Sequence, residues 1–390
     1  MKTIRLDYYI DTVIPSDRAN TVHVMKMCRA LQAAGAEVTL HCNTDDRSAA
    51  AHQSAIWEKY GVDECFTIRQ TYVPRLLRTK LHRIGILYGA FCKACSGSRD
   101  AIAYGRSPYA LYFLRKRRPF LYEAHAEPGD KTRKLEEKLL RSKNCIGLVV
   151  ISDALKKRYL ELFPFLKPER ITVLHDGADE AQPCEPAVLR GDSGGVKIGY
   201  LGSLYPGKCM ETLIPLAAAC PQWTFHVVGG APQWLSHWKS EAQAAGAANL
   251  VFYGQVDNAA VGAYYEAFDI CLMPFSKNVF VDQNKRLNIG SWISPLKLFE
   301  AMARGKAILV ARLPSIEEVV SDGEQCVFAE PDHVSDWAEK LKTLVSDGAL
   351  RARLGAAAKQ TLKARYTWEI RAKALLEKLR ESDRERNATQ

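Results

Sequence analysis

Short apolar runs of strand length alternate with helical patterns from one end of this 390-residue chain to the other. In the first half the strand-like runs fall at residues 4–10, 37–42, 65–69, 101–105, 120–125, 145–151 and 171–174, with helical periodicity at 21–34, 129–141 and 152–162. After a polar stretch rich in Pro, Gly and acid at 179–195, the alternation starts again. Strands are expected at 196–201, 224–228, 249–252, 269–273, 307–310 and 326–328, helices near 210–219, 259–267, 295–304, 315–320 and 336–347, and the charged region 348–380 is helical by pattern. Repeated strand–helix alternation requires parallel sheets covered on both faces. The length exceeds what one ordinary core serves. The expectation is therefore an α/β chain of two doubly wound domains facing across a cleft, residues 1–180 and 196–364. Residues 365–390 are read as a C-terminal helix and tail packing back toward the first domain, with 381–390 frayed.

The most chemically specific stretch is 294–310. Ser294 suits an N-cap and Pro295 the first helical position, while Leu296, Leu298, Phe299 and Met302 supply apolar faces and Gly305 a C-terminal cap. First-turn N–H groups have no acceptor inside a helix, and the macrodipole places positive charge there, so the tip suits an anion. Lys297 and Glu300 stand three apart and share a face. A lysine suits a diphosphate, and a glutamate suits vicinal hydroxyls. Ala-Ile-Leu-Val then follows as a buried parallel strand, which puts the helix tip at a sheet edge, the usual place for a nucleotide.

The formal net charge is +10 and uneven. Between Phe66 and Arg118 there are twelve Lys/Arg and a single acid, Asp100. The block holds Arg75, Arg78, Lys80, Arg83, Lys93 and the run Arg115, Lys116, Arg117, Arg118, interleaved with Leu76, Leu77 and an apolar segment from Ile84 to Phe91. Such a basic, amphipathic segment suits an anionic membrane surface. Without interleaved aromatic platforms it does not suit nucleic acid, and no such partner is expected. No apolar run is long enough to span a bilayer, and the start is expected not to be a signal peptide, because Asp7 interrupts a short apolar stretch. Eleven cysteines, several in strand-like runs, read as reduced core-filling thiols. Cys92 and Cys95 form the only C-x-x-C and lack further ligands at zinc spacing. Asp45 and Asp46 are adjacent and read as a polar turn, so no metal site is expected.

Taken in order, these segments resemble the GT-B glycosyltransferases of family 4. In the second half the matching landmarks are the stretch from Gly199 through Gly202 to Lys208, the run ending at Gly229 and Gly230, the strand ending at Gly254, Asp269 to Phe275, and 294–305. In the first half they are the Ala19–Val24 segment, Tyr122 to His125, Val150 to Leu155, and Leu174 to Asp179. The resemblance implies two Rossmann-like domains, acceptor-binding first and nucleotide-sugar-binding second. It also implies retaining, metal-independent transfer of a sugar from a nucleoside diphosphate sugar, without a cofactor. By the same resemblance Glu300 holds the ribose, Lys208 contacts the diphosphate and His125 faces the donor sugar; these three are the expected catalytic residues. Nucleotide-sugar binding extends to Asn20, Gly202, Ser203, Ser294, Pro295, Leu296 and Lys297.

The chain departs from the family pattern at four places, one being Ser294–Lys297, which replaces the usual aromatic-glycine stretch. Trp292 stands where many relatives carry a first glutamate, Ser203 where they carry an arginine, and Ala19 and Asn20 where they carry paired glycines. Arg18, Arg286 and Lys297 are the remaining candidate cations. The expected donor is a UDP-sugar, with a GDP-sugar second, and the expected acceptor a lipid-linked or growing glycan. The expected location is cytoplasmic, peripheral on the inner membrane face. A nucleotide-sugar epimerase and a degenerate, non-catalytic glycan binder are the alternatives.

Overall fold

A computed structural model describes residues 3–47, 53–191, 194–280 and 288–388. The chain divides into two compact units, Met1–His175 with Trp368–Gln390, and Asp176–Thr367. Residues 179–195, expected as a linker, group with the second unit.

The first unit is built on seven parallel strands: β1 (Arg5–Val13), β2 (Glu37–Thr44), β3 (Thr67–Tyr72), β4 (Ile102–Gly105), β5 (Phe120–Ala124), β6 (Cys145–Val150) and β7 (Ile171–Val173). Their order is β3-β2-β1-β4-β5-β6-β7. The covering helices are α1 (Ala19–Ala33), α2 (Gln53–Tyr60), α3 (Arg75–Arg78), α4 (His82–Ser96), α5 (Pro108–Leu114), α6 (Asp130–Leu140) and α7 (Asp153–Leu162).

The second unit has six parallel strands: β8 (Ile198–Leu201), β9 (Phe225–Val228), β10 (Leu250–Gly254), β11 (Ile270–Met273), β12 (Ala307–Ala311) and β13 (Val327–Ala329), ordered β10-β9-β8-β11-β12-β13. Its helices are α8 (Met210–Ala219), α9 (Pro232–Ala244), α10 (Val261–Ala267), α11 (Leu296–Ala303), α12 (Pro314–Glu317), α13 (Val334–Ser346) and α14 (Gly348–Arg365). The last helix, α15 (Trp368–Ala388), groups with the first unit and packs on α1. The tail expected to fray is helical through Ala388.

All thirteen expected strands are present. The central strands are buried on both faces, as β12 shows with every residue of Ala-Ile-Leu-Val-Ala inaccessible, while the edge strand β3 buries only Ile68 fully. Five helices escape the periodicity argument: α2, α3, α4, α5 and α9. Two of them, α3 and α5, are too short to show a period. Helix α9 buries only Trp238 and Ala242, and α4 buries small residues while exposing large ones, which inverts the usual pattern.

In each sheet the winding direction reverses once, between β1 and β4 in the first unit and between β8 and β11 in the second. Crevices for ligands open at the carboxyl ends of strands at such reversals.

Candidate functional site

In the second unit the loop leaving β8 and the loop leaving β11 meet at the reversal point. Ser276 N donates to Gly207 O at 3.0 Å. Gly207 has φ +78°, and a Cβ there would lie 1.9 Å from Asn278 O, so only glycine permits this approach. Gly207 N donates to Glu211 Oε1 at 2.8 Å and Lys208 N to Tyr205 O at 3.1 Å, which fixes the turn that carries Lys208. The Lys208 ammonium lies over the Phe275 ring, 5.8 Å from its centroid. Burial pushes this ammonium down to about 8. Lys208 is half-buried and makes no ion pair among the described residues, and an incoming anion favours its charged form.

Gly202 follows β8, its N–H donating to Val228 O at 2.9 Å. Ser203 is exposed, and its carbonyl accepts from the Tyr200 hydroxyl at 2.7 Å. The loop after β11 continues against the approach to α11: Ile289 N donates to Val279 O at 2.8 Å, and Trp292 closes a tight turn onto Ile289 O at 3.0 Å. Trp292 is nearly buried, and its indole N–H has no partner among the described residues. Arg286 lies outside the described residues.

The start of α11 corrects one expectation. Ser294 does not cap the helix. Its hydroxyl accepts from Asp176 N at 3.2 Å, and Pro295 takes the N-cap position with no side-chain cap. The helix therefore begins one residue later, at Leu296, and its tip carries no side-chain acceptor. At the other end Gly305, at φ +64°, donates to Met302 O while Lys306 N reaches Ala301 O, a Schellman closure.

Lys297 and Glu300 share a face, and the Lys297 ammonium donates to Glu300 Oε2 at 2.8 Å. Lys297 is thus committed to Glu300 rather than to a separate cation site. Tyr265 donates to Lys297 O at 3.3 Å, and its phenol is pushed well up by burial and then by the Glu300 carboxylate. Glu300 is partly exposed between these two groups.

In the first unit His125 follows β5, and its Nε2 bonds Glu123 Oε1 at 2.7 Å. Glu123 is the hub of a buried network that the sequence did not reveal. It accepts from the Tyr8 hydroxyl at 2.9 Å, from Tyr104, and from Arg371 Nη2 at 2.8 Å, while His23 Nε2 approaches at 3.4 Å. Burial alone would raise the Glu123 carboxyl. The Arg371 guanidinium, His125 and His23 outweigh it and hold the group well below the usual carboxylate range. The only sequence signal was a Glu two residues before a His in an otherwise apolar strand.

Asn20 lies in the first turn of α1 rather than in a loop. Its amide donates to Thr12 Oγ1 at 2.8 Å, and its Oδ1 is buried with no partner among the described residues. Arg18 is exposed.

The basic block is thinner than its sequence count. Arg118 is buried, donating to Asp7 Oδ2 at 2.7 Å and Ala101 O at 3.1 Å, and also to Ser98 O and the Tyr9 hydroxyl. Lys93 is buried as well, on Ile10 O and Asp11 Oδ1. Neither belongs to a surface. Arg78 pairs with Asp45 at 3.2 Å, and the Arg115 guanidinium lies 3.6 Å over the Tyr112 ring. Arg75, Lys80, Arg83, Lys116 and Arg117 remain exposed.

A family model described as "Glycosyltransferase Family 4" matches residues 21–182, and one described as "Glycosyl transferase-like" matches residues 210–377. Among curated proteins, the chain is 28% identical over 156 residues to a Bacillus subtilis (strain 168) protein named for teichuronic acid biosynthesis, the glycosyltransferase TuaH; the match covers 40% of this chain and 36% of that one. It is 26% identical over 230 residues to the D-inositol 3-phosphate glycosyltransferase of Stackebrandtia nassauensis, covering 54% and 48%. The matched stretches thus span between about a third and a half of the curated relatives' lengths. Among solved structures, HepE of Anabaena in complex with UDP and glucose superposes with TM-score 0.71 at 16% identity, covering 97% of this chain and 99% of that one. Sucrose-phosphate synthase of Thermosynechococcus elongatus superposes at 0.74 with 17% identity, over 97% and 99%.

Proposed function

The chain belongs to the GT-B glycosyltransferases, and we propose that it is a retaining enzyme that moves a sugar from a UDP-sugar to a lipid-linked or growing glycan. The observation that carries this reading is the reversal point of the second unit. There a desolvated lysine, Lys208, and an uncapped helix tip, α11, flank the strand edge, and the Lys297–Glu300 pair lies one turn along the helix. In this reading the diphosphate lies between the Lys208 ammonium and the first N–H groups of α11, and the ribose hydroxyls donate to Glu300.

As the glycosidic bond breaks, the departing diphosphate gains negative charge. A fixed ammonium and helix-end donors stabilise that charge more in the transition state than before it, so they lower the barrier. A divalent metal is not required for that neutralisation, and the proposed reaction uses none. His125, held by Glu123, is the proposed contact to the donor sugar from the first unit. UDP is favoured as the nucleotide because HepE, with the same fold, is solved with UDP. The proposed workplace is the cytoplasmic face of a membrane, where a nucleotide sugar meets a lipid-linked acceptor. No helix among the described residues is long and apolar enough to cross a membrane, so the proposed association is peripheral.

The test is a thermal-shift titration with UDP, GDP and their sugar conjugates, followed by incubation of the stabilising donor with and without candidate lipid-linked acceptors. Preferential stabilisation by UDP-sugars, and turnover to free UDP that rises with acceptor, support the reading. Interconversion of the donor sugar without release of UDP indicates an epimerase, and absence of stabilisation by every nucleotide indicates a non-catalytic binder.

A further inference from the structure

Among the described residues, the large apolar side chains left exposed are Leu76, Leu81, Ile84, Leu87, Tyr88, Phe91 and Val188. All but Val188 lie on α3, α4 and the turn between them. They are between 42% and 55% exposed. On α4 the spacing of Ile84, Leu87, Tyr88 and Phe91 is i, i+3, i+4, i+7, which lines one helical face. The opposite face, formed by Gly85, Gly89, Ala90, Lys93 and Ala94, is the buried one. A Cβ on Gly85 would lie 2.1 Å from Leu77 O, so the small face is what lets α4 press down onto α3. The helix is thus built with its bulky face outward, the reverse of a helix that serves only its own core.

Charge around this ridge is mainly positive, with Asp45 the acid that pairs with Arg78 of α3 at 3.2 Å. Arg75, Lys80 and Arg83 are exposed beside it, and no acid occurs from Phe66 to Arg99. Phe91 also meets Phe113 of α5 edge-on, with ring centroids 5.5 Å apart, and α5 leads into exposed Lys116 and Arg117. Two of the residues counted toward a basic surface in the sequence, Lys93 and Arg118, are spent inside the unit. Basic adsorption alone is therefore weaker than the sequence suggests.

We propose that α3 and α4 form a wedge that enters the acyl boundary of an anionic bilayer, with the flanking arginines and lysine on lipid headgroups. The occupant is a membrane because charge complementarity selects an anionic surface and a convex apolar stripe needs a deformable apolar phase. The inference concerns how the proposed peripheral association is made, and it rests on that reading only for location, not for sugar chemistry.

The test is co-sedimentation of the whole chain with phosphatidylglycerol–phosphatidylcholine vesicles at low salt and at about 1 M salt, where screening acts within about 3 Å. Wild type is expected to bind the anionic vesicles and to retain most of that binding at high salt. Ile84→Gln/Leu87→Gln, both at exposed positions, is expected to lower the partition coefficient at least about tenfold, since each buried methylene contributes about 0.8 kcal/mol. The proposal is overturned by complete release at high salt, by absence of vesicle binding, or by equal binding of the double variant. It is also overturned if the wild type is a dimer in solution and the variant a monomer, which would assign the ridge to a second copy of the chain. Thermal stabilisation by UDP, unchanged in the double variant, separates failure of the wedge from failure of the donor site.

Discussion

Arg371 of α15 donates through Nη2 to Glu123 Oε1 of β5 at 2.8 Å, across 248 positions of sequence. Both groups are buried, and Arg371 also reaches His175 O at 3.0 Å. The final helix of the chain therefore closes the network that holds His125. Removing one partner of a buried pair leaves the other charge without compensation, which costs roughly 3–5 kcal/mol. Arg371→Ala is expected to lose stability on that scale in urea unfolding of the first unit's signal. A loss below about 1 kcal/mol would show that solvent or relaxation replaces the guanidinium.

Glu300 is separable from stability. Its pair with Lys297 is partly exposed on both sides, and such pairs contribute at most about 1 kcal/mol. Glu300→Ala is expected to leave the melting temperature nearly unchanged while weakening UDP binding by about 10–100-fold, the scale of hydrogen bonds to a charged acceptor. Scanning calorimetry measures the first and titration calorimetry the second. Unchanged UDP affinity would remove the ribose assignment.

Lys208 gives a pH signature. Burial lowers it to about 8, so the free protein loses this positive charge as pH rises through 8. A diphosphate beside it favours the charged form and raises the group again. UDP affinity is expected to fall as pH rises above 8, and binding near pH 8 takes up protons, read from heats in buffers of different ionisation enthalpy. Lys208→Met is expected to abolish the uptake and to reduce the transfer rate by about 2–4 kcal/mol of barrier. A proton uptake unaltered in the variant would place the titrating group elsewhere.

Glu136 gives a stability signature. It is buried on α6, accepts from the Tyr159 hydroxyl at 2.7 Å, and burial raises its carboxyl from 4.5 to about 7. Between those values the folded chain holds a proton that the unfolded chain has released. Its contribution is thus fully present below about 4.5 and is lost as pH rises toward 7. Glu136→Gln is expected to match wild type near pH 5 and to exceed it by roughly 1–3 kcal/mol at pH 8. Equal stability at both values would mean that the carboxyl ionises without penalty.

The strands and the α11 region were legible because continuous apolar runs and a Pro-Gly-bounded helix are local signals. Their partners were not. Arg371 and Glu123 meet only through the fold, and no spacing links them. Arg118 and Lys93 were counted as surface charge because a buried cation looks the same in sequence as an exposed one; Asp7 and Asp11 that hold them stand on β1, far away in the chain. Ser294 has the residue type of a cap, but the Asp176 N–H competes for its hydroxyl. Helix α4 was legible only as part of a basic, amphipathic segment, and nothing local in the sequence tells that its large residues face outward.

A crystal structure of the full chain with UDP bound decides the account. The β-phosphate is expected about 3 Å from Lys208 Nζ and from the first N–H groups of α11, with the ribose hydroxyls at similar distance from Glu300. A diphosphate seated elsewhere in the second unit, beyond reach of both Lys208 and the α11 tip, would contradict it.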